Sequence, residues 1–279
     1  MDKKNPSHRL GVLVLHGFTT HISTLEGLKP ALDSLAVKYS FPVLRGHGTH
    51  FSDLKGVTYL DWLADAEQAL KELLKKVDRV IVVGYSMGGL IALQLGIRYP
   101  DKILGLVTVA AALKFTDPLV GISSLMGRVI PYWKAPVDFA DKKQAAKCKN
   151  YKWFPVKTFA SLYDLSLKTI EDLPKFKLPI LIIHSKKDRV IAPKSAEMIY
   201  QKIGSKQKSI LWFLESGHEM MLDLERKKVF EAISHFIKTY LPTSQKTNSK
   251  PIPKKTTSKK LGVQKTFHKA KKVNLEAHP

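Results

Sequence analysis

Apolar and polar positions along the chain alternate between two rhythms. Apolar runs of four to eight residues recur, and between them lie longer segments whose apolar positions return every three or four residues. A short continuous run is how a strand buried on both faces reads, whereas the longer spacing marks a helix with one face on a core. The runs predict strands at Leu10–Leu15, around Tyr39–Leu44, and at Arg79–Val83, Ile103–Val109, Ile180–His184 and Ile210–Leu214. Helices are expected at Ser23–Val37, Thr58–Lys76, Met87–Tyr99, Pro193–Ile203 and Leu224–Tyr240. The second of these has Thr58 as a cap and Leu60, Leu63, Leu70, Leu73 and Leu74 on one side. Such alternation predicts an α/β fold with a mostly parallel sheet flanked by helices and joined by right-handed crossovers.

Two stretches depart from this rhythm. Val80 to Ile97 holds no charge over 18 residues, the lower limit for a membrane-spanning helix, but its centre carries Gly84, Gly88 and Gly89. A strand, a tight turn and a helix fit it better. Between about residues 113 and 177 the alternation stops, and ten aromatic residues make up about 15% of the segment against 9% for the chain. An aromatic insertion between two strands is expected to be a small helical cap over a pocket, with extra helices packed on their own small core as the plainer alternative.

Length and composition add boundaries. The 279 residues, 44% hydrophobic and 25% charged, describe a globular protein of one large or two ordinary domains. The net charge of +22 is unevenly spread: residues 242–279 hold ten Lys and one acid, which leaves +13 on residues 1–241. The expectation is a single domain over 1–241, cap included, followed by a disordered Lys-rich tail over 242–279. Cys148 is the one cysteine, so there is no intramolecular disulfide framework and no Cys-based zinc site. The apolar run behind the basic start is too short for a signal-peptide core, and a cytoplasmic protein, peripheral to a membrane surface at most, is expected.

The chemistry gathers at three strand ends. Gly84-Tyr85-Ser86-Met87-Gly88 matches G-x-S-x-G between an apolar strand and a helix, the setting in which a sharp turn presents a serine hydroxyl at the sheet edge. A serine hydroxyl is a weak nucleophile until a base takes its proton, which calls for a histidine and a carboxylate at neighbouring strand ends. Asp188 lies four residues beyond His184 and His218 four beyond Leu214, and parallel strands bring their C-terminal ends to one edge. Acyl transfer also needs two backbone N–H groups for the developing oxyanion; Phe18, after the first strand, and Met87, at a helix start, are the candidates. His16 is expected to be structural. Arg45-Gly46-His47-Gly48-Thr49-His50 is expected to shape the pocket rim, and two histidines without a carboxylate cluster argue against a metal.

These segments together, with Leu13-Val14-Leu15-His16-Gly17-Phe18, the Gly-His-Gly run, the elbow, Asp188 and Ser216-Gly217-His218, resemble the bacterial carboxylesterase and monoacylglycerol lipase group of the α/β-hydrolase superfamily. The resemblance covers about residues 9 to 240. It implies Ser86 as nucleophile, His218 as general base and then acid, Asp188 as its orienter, Phe18 and Met87 as oxyanion donors, no metal or organic cofactor, and a cap framing an apolar acyl tunnel. The Lys-rich extension departs from the family pattern.

The expected activity is hydrolysis of a carboxylic ester with an apolar acyl chain, a monoacylglycerol or lysolipid among them, with a small-molecule ester or lipid as substrate and no obligate protein partner. A thioesterase, peptidase or C–C hydrolase would use the same three residues, whereas Ser86 in place of an elbow aspartate disfavours a dehalogenase or epoxide hydrolase. A competing reading is a polyanion binder whose tail makes weak, nonspecific contact with an anionic membrane or nucleic acid.

Overall fold

The computed structural model describes residues 9–241. The tail expected over 242–279 lies outside the described residues, as do residues 1–8.

Six parallel strands form one sheet. They are β1 (Leu10–Leu15), β2 (Lys38–Ser40), β3 (Arg79–Tyr85), β4 (Ile103–Val109), and, beyond an insertion, Ile180–Ser185 and Lys208–Phe213. The spatial order is β2, β1, β3, β4, then those last two. Period-two alternation sends each strand's residues to opposite faces. Leu13, Leu15, Val80, Val82, Leu106 and Ile182 join one core, while Val12, Val14, Ile81, Val83, Val107 and Ile183 join the other.

Helices cover both faces. α1 (Ser23–Glu26) and α2 (Lys29–Ser34) pack with the C-terminal helix Arg226–Lys238 on one core, and α3 (Tyr59–Leu74) and α4 (Met87–Arg98) build the other. Residues 87–96 of α4 are all buried, because the helix lies between the sheet and a helix of the insertion. Among the described residues no helix is long and apolar enough to cross a membrane.

The insertion between β4 and the fifth sheet strand contains a 3-10 turn (Pro118–Ile122), α5 (Ser123–Met126), β5 (Tyr132–Lys134), α6 (Lys142–Lys147), β6 (Trp153–Pro155) and α7 (Val156–Asp172). β5 and β6 pair antiparallel, so this largely helical segment also holds a two-stranded ribbon that the apolar pattern did not announce. The chain then continues as β7 (Ile180–Ser185), α8 (Lys194–Lys202), β8 (Lys208–Phe213) and α9 (Arg226–Lys238).

Three expectations differ in detail. The helix expected over Ser23–Val37 is two short helices, because Pro30 has no N–H to donate across the junction and Gly27 packs against the Phe230 ring. The strand expected around Tyr39–Leu44 stops at Ser40, since Pro42 cannot donate to a ladder. In α3, Thr58 and Asp61 form the capping box, but Leu60 is 60% exposed and Trp62 takes the inward position.

Parallel register sets the site's position. Leu15 pairs with Gly84, Tyr85 with Val109 and Ser185 with Phe213, so the strands run out together and the following loops share one edge.

Candidate active site

Ser86 follows β3 directly and opens α4. Its backbone has φ 52° and ψ −117°, a conformation that costs a non-glycine residue about 1–3 kcal/mol. Hydrogen bonds hold it there: Ser86 N–H donates to the Val109 carbonyl at 2.9 Å, and the Ser86 carbonyl accepts from the N–H groups of Gly89 and Ala112 at 2.9 and 3.2 Å. A Cβ on Gly84 would run into the Gly88 carbonyl, and one on Gly88 into the Leu15 and His16 carbonyls. The two glycines of the motif are therefore required by backbone approach across β1, β3 and α4.

The structure brings Ser86, Asp188 and His218 into one hydrogen-bonded chain. His218 Nε2 lies 3.1 Å from Ser86 Oγ, and His218 Nδ1 lies 2.8 Å from Asp188 Oδ2. All three residues are buried. With Nδ1–H donated to the carboxylate, a neutral ring presents Nε2 as acceptor for the serine O–H. Asp188 is itself fixed, its Oδ1 accepting from Val190 N–H at 2.9 Å and Ile191 N–H at 2.8 Å. His184 Nε2 lies 3.4 Å from Asp188 Oδ2 but donates to the Ile191 carbonyl at 3.1 Å.

Charge and burial compete here. Burial lowers the His218 pKa, but the charge and hydrogen bond of Asp188, helped by Glu219 and Asp138, outweigh it and push the value up to about 9. Burial raises the Asp188 pKa, and His218 and His184 more than offset it, so the carboxyl stays below its ordinary value.

Phe18 and Met87 flank the serine. Met87 is the first residue of α4, at the positive end of its dipole. A Cβ on Gly17 would lie 3.0 Å from Ser86 Cβ, so the backbone leading into Phe18 passes against the serine. That loop is braced from behind by two neutral histidines. His16 Nδ1 donates to the Gly17 carbonyl at 2.9 Å while its Nε2 accepts from Leu44 N–H at 3.0 Å, and burial lowers its pKa to about 4. His47 Nε2 accepts from Thr19 N–H at 3.2 Å, and burial with the neighbouring His16 lowers its pKa to about 3. The Arg45–His50 run thus supports the Phe18 loop and does not line the cavity, contrary to the rim position expected for it. Among the described residues no group of three or more His, Cys, Asp or Glu is arranged to hold a metal ion.

A cavity of about 340 Å³ opens over Ser86, at the small end of the roughly 300–1,000 Å³ common for small-molecule sites. Its walls include Phe18 from the β1 loop, Phe115, Trp133, Phe154 and Phe159 from the insertion, and Ile191 from the Asp188 loop. Phe18 meets Phe154 and Phe159 at centroid distances of 5.3 and 6.0 Å, which ties the insertion to the loop after β1.

Several polar neighbours had little or no signature in the sequence. Asp138, from the insertion, is buried; its Oδ2 accepts from His218 N–H at 2.9 Å and Arg189 N–H at 2.8 Å, and its Oδ1 from the Arg189 guanidinium. Asp223, from the loop before α9, makes the reverse connection, accepting from Ala140 and Asp141 N–H at 2.8 Å each and Gly217 N–H at 2.7 Å. These carboxylates latch residues 138–141 to the loops that carry His218 and Asp188. Glu219 is also buried, accepting from Tyr85 O–H at 2.7 Å and Asn150 Nδ2–H at 3.2 Å, and burial raises its pKa. Its place beside His218 was the one available signal; Asp138, Asn150 and Asp223 sit in stretches without a motif.

Comparison with known proteins agrees with this architecture. The family model described as serine aminopeptidase, S33, matches residues 6–225. The chain is 30% identical over 227 residues to the thermostable monoacylglycerol lipase of Bacillus sp. (strain H-257), covering 81% of this chain and 90% of that protein. It is 25% identical to a carboxylesterase of Bacillus subtilis (strain 168), covering 81% and 91%. Among solved structures, one described under LipS and LipT, two metagenome-derived lipolytic enzymes, superposes with a TM-score of 0.79 at 29% identity, covering 84% of this chain and 95% of that one. The monoacylglycerol lipase of Paleococcus ferrophilus shares the fold at a TM-score of 0.70 and 18% identity, covering 82% and 94%. A parallel sheet with this strand order, a strained serine between β3 and α4, and a family match across residues 6–225 lead to one assignment: the chain belongs to the serine aminopeptidase S33 family of the α/β-hydrolase superfamily.

Proposed function

We propose that the chain is a serine hydrolase of carboxylic esters with an apolar acyl chain, of monoacylglycerol lipase or carboxylesterase type. The observation that carries this reading is the Ser86–His218–Asp188 chain at the floor of an aromatic-walled cavity. Ser86 Oγ attacks the ester carbonyl as His218 Nε2 takes its proton, and Asp188 keeps the imidazolium oriented and electrostatically matched. Phe18 and Met87 N–H groups stabilise the oxyanion. The C–O bond to the alcohol breaks, and His218 returns its proton to the leaving oxygen. A water then attacks the acyl-enzyme, giving its proton to His218, and Ser86 is regenerated with release of the acid.

On this reading the aromatic insertion, about residues 113–177, caps a hydrolase domain within 1–241, and no metal or cofactor is called upon. The relatives support ester cleavage over peptide cleavage, since those at 30% and 25% identity are named a lipase and a carboxylesterase while the family description names an aminopeptidase. The test is labelling by a serine-directed fluorophosphonate mapped to Ser86, followed by kcat/KM over esters of graded acyl length and a peptide panel. Ser86→Ala is expected to lose roughly 10⁴-fold or more in kcat; wild-type turnover of every substrate by that variant would overturn the proposal.

A further inference from the structure

The residues next to Ser86 and His218 in sequence are bonded to each other. Tyr85 precedes the serine, Glu219 follows the histidine, and across 134 positions of chain Tyr85 O–H donates to Glu219 Oε2 at 2.7 Å. The His218 carbonyl, also in reach of that hydroxyl, is farther at 3.4 Å. The Tyr85 ring meanwhile lies against the imidazole, with centroids 5.6 Å apart and planes inclined by 32°. Both residues are buried and line the cavity over Ser86.

Asn150 adds the insertion to this pair. A backbone N–H can only donate, so His21 N–H selects the oxygen end of the Asn150 amide: Oδ1 accepts from it at 2.9 Å and from Thr24 Oγ1 at 3.1 Å, which leaves Nδ2 to donate to Glu219 Oε1 at 3.2 Å. Both Glu219 oxygens therefore accept, as an ionised carboxylate does. Burial opposes that charge. The titratable groups around it are His218, Tyr85, Asp188 and, from the insertion, Cys148; around His218 they are Glu219, Tyr85, Asp188, His184 and Asp138. Asp138 has the Arg189 guanidinium and Asp188 has the imidazole Nδ1–H, whereas no Lys or Arg pairs with Glu219 among the described residues. The cation its charge meets is His218 once protonated.

We infer that Glu219 is a positioning residue, a second carboxylate for the base: through Tyr85 and Asn150 it fixes the His218 loop over the serine turn, and its charge is matched only when His218 has taken the serine proton. The inference rests on the acyl-transfer reading of the site. An ion pair that is complete in the transition state but not in the resting enzyme lowers the barrier, because it contributes more after proton transfer than before. The ties serve the same step. Ser86 Oγ and His218 Nε2 must stay within hydrogen-bond reach, and Glu219 joins the end of β3 and the His218 loop to the insertion and to the loop after β1.

The test compares Glu219→Gln with Tyr85→Phe in the full chain, by kcat and KM on a short water-soluble ester, by the pH dependence of kcat/KM, and by the rate at which a fluorophosphonate labels Ser86. Glutamine can still accept from Asn150 and donate to the Tyr85 oxygen, so the contacts stay and the charge goes. Glu219→Gln is expected to lower kcat and the labelling rate roughly tenfold, with KM within about twofold. It should also move the rise of kcat/KM to lower pH, because a carboxylate that helps hold His218 protonated is gone. Tyr85→Phe keeps the charge and cuts the tie: kcat should fall roughly fivefold, with no move of that rise to lower pH. Wild-type kcat and an unmoved rise in Glu219→Gln would overturn the inference, as would an effect on KM alone, which would make Glu219 a contact for substrate. If Glu219→Gln does not fold, Tyr85→Phe decides, and wild-type kcat in it would overturn the inference. Labelling separates the two readings. A wild type that labels at Ser86 but turns over no ester would refute the ester-hydrolase reading, and slower labelling of Glu219→Gln would then still support the role of Glu219.

Discussion

The sheet and the insertion treat apolar side chains in opposite ways. In β1 every residue is buried, and in β3 and β4 nearly every one, with alternate residues feeding two cores. In residues 118–130 of the insertion, the larger aliphatic side chains stand in solvent while a valine, a serine and a glycine pack inward. The difference separates two tasks. Ser86, His218 and Asp188 hang from strand ends whose positions are over-determined by the cores beneath them, whereas the insertion packs Phe154, Leu162 and Leu165 on one of those cores, supplies cavity walls, and leaves the outer face of residues 118–130 in solvent. It also reaches the polar frame of the site, through the Asp138 and Asp223 latch and the Asn150–Glu219 contact.

Four perturbations would break or sharpen this contrast. The largest effect is expected at the strand ends. Asp188→Asn should lower kcat roughly 10⁴-fold, because the ring loses the acceptor that fixes its tautomer. The wild-type pH profile carries the same information: only neutral His218 can act as base, so kcat/KM should climb as pH rises through about 9, and the residual activity of Asp188→Asn should climb at lower pH. The folded-state pKa lies above the ordinary 6.5, so the stabilisation is fully present below 6.5 and is lost as pH rises through about 9. Thermal melts of wild type should therefore decline across that window, with a flatter decline in Asp188→Asn.

Within the frame, Leu13→Ala removes a fully buried side chain from the sheet, and a loss of about 2–5 kcal/mol is expected in denaturant unfolding. At the junction, Asp138→Asn withdraws charge from the Arg189 pair and from the His218 N–H contact. It should cost about 2 kcal/mol, or roughly 4–8 °C in Tm. Because the altered contact acts through His218, the base of the proposed mechanism, kcat should fall roughly tenfold with KM within about twofold; a change confined to KM would mean that the latch shapes the cavity rather than positioning His218. The smallest effect belongs to the insertion's outer face, where Leu125→Ala should change stability by no more than about 0.5 kcal/mol. A loss comparable with that of Leu13→Ala would show that the face is packed in solution and would collapse the comparison.

Much of the frame was legible because its signals are local. Buried parallel strands must be short and apolar, and a serine turned sharply between a strand and a helix needs glycine where backbones touch, as Gly84 and Gly88 do. Asp188 and His218 could be proposed from their distance past predicted strand ends, since a parallel sheet brings those ends to one edge. The misses share a different cause. Leu60 looked inward by residue type, yet the inward face of α3 is centred on Trp62, Ala66 and Leu70. Asp138 meets His218 across 80 residues of chain, and Asn150 meets Glu219 across 69, with no motif at either end.

Sequence by itself determined the alternation of elements, the elbow and the residue types available at the strand ends, because hydrophobic period and steric limits act over a few neighbouring residues. Tertiary structure alone decided that His218 is gripped by Asp138 as well as Asp188, that His47 supports a loop instead of lining the cavity, and that residues 118–130 turn their apolar side outward. Each of these depends on which distant surfaces compete for the same side chain, and that competition exists only after the chain has packed.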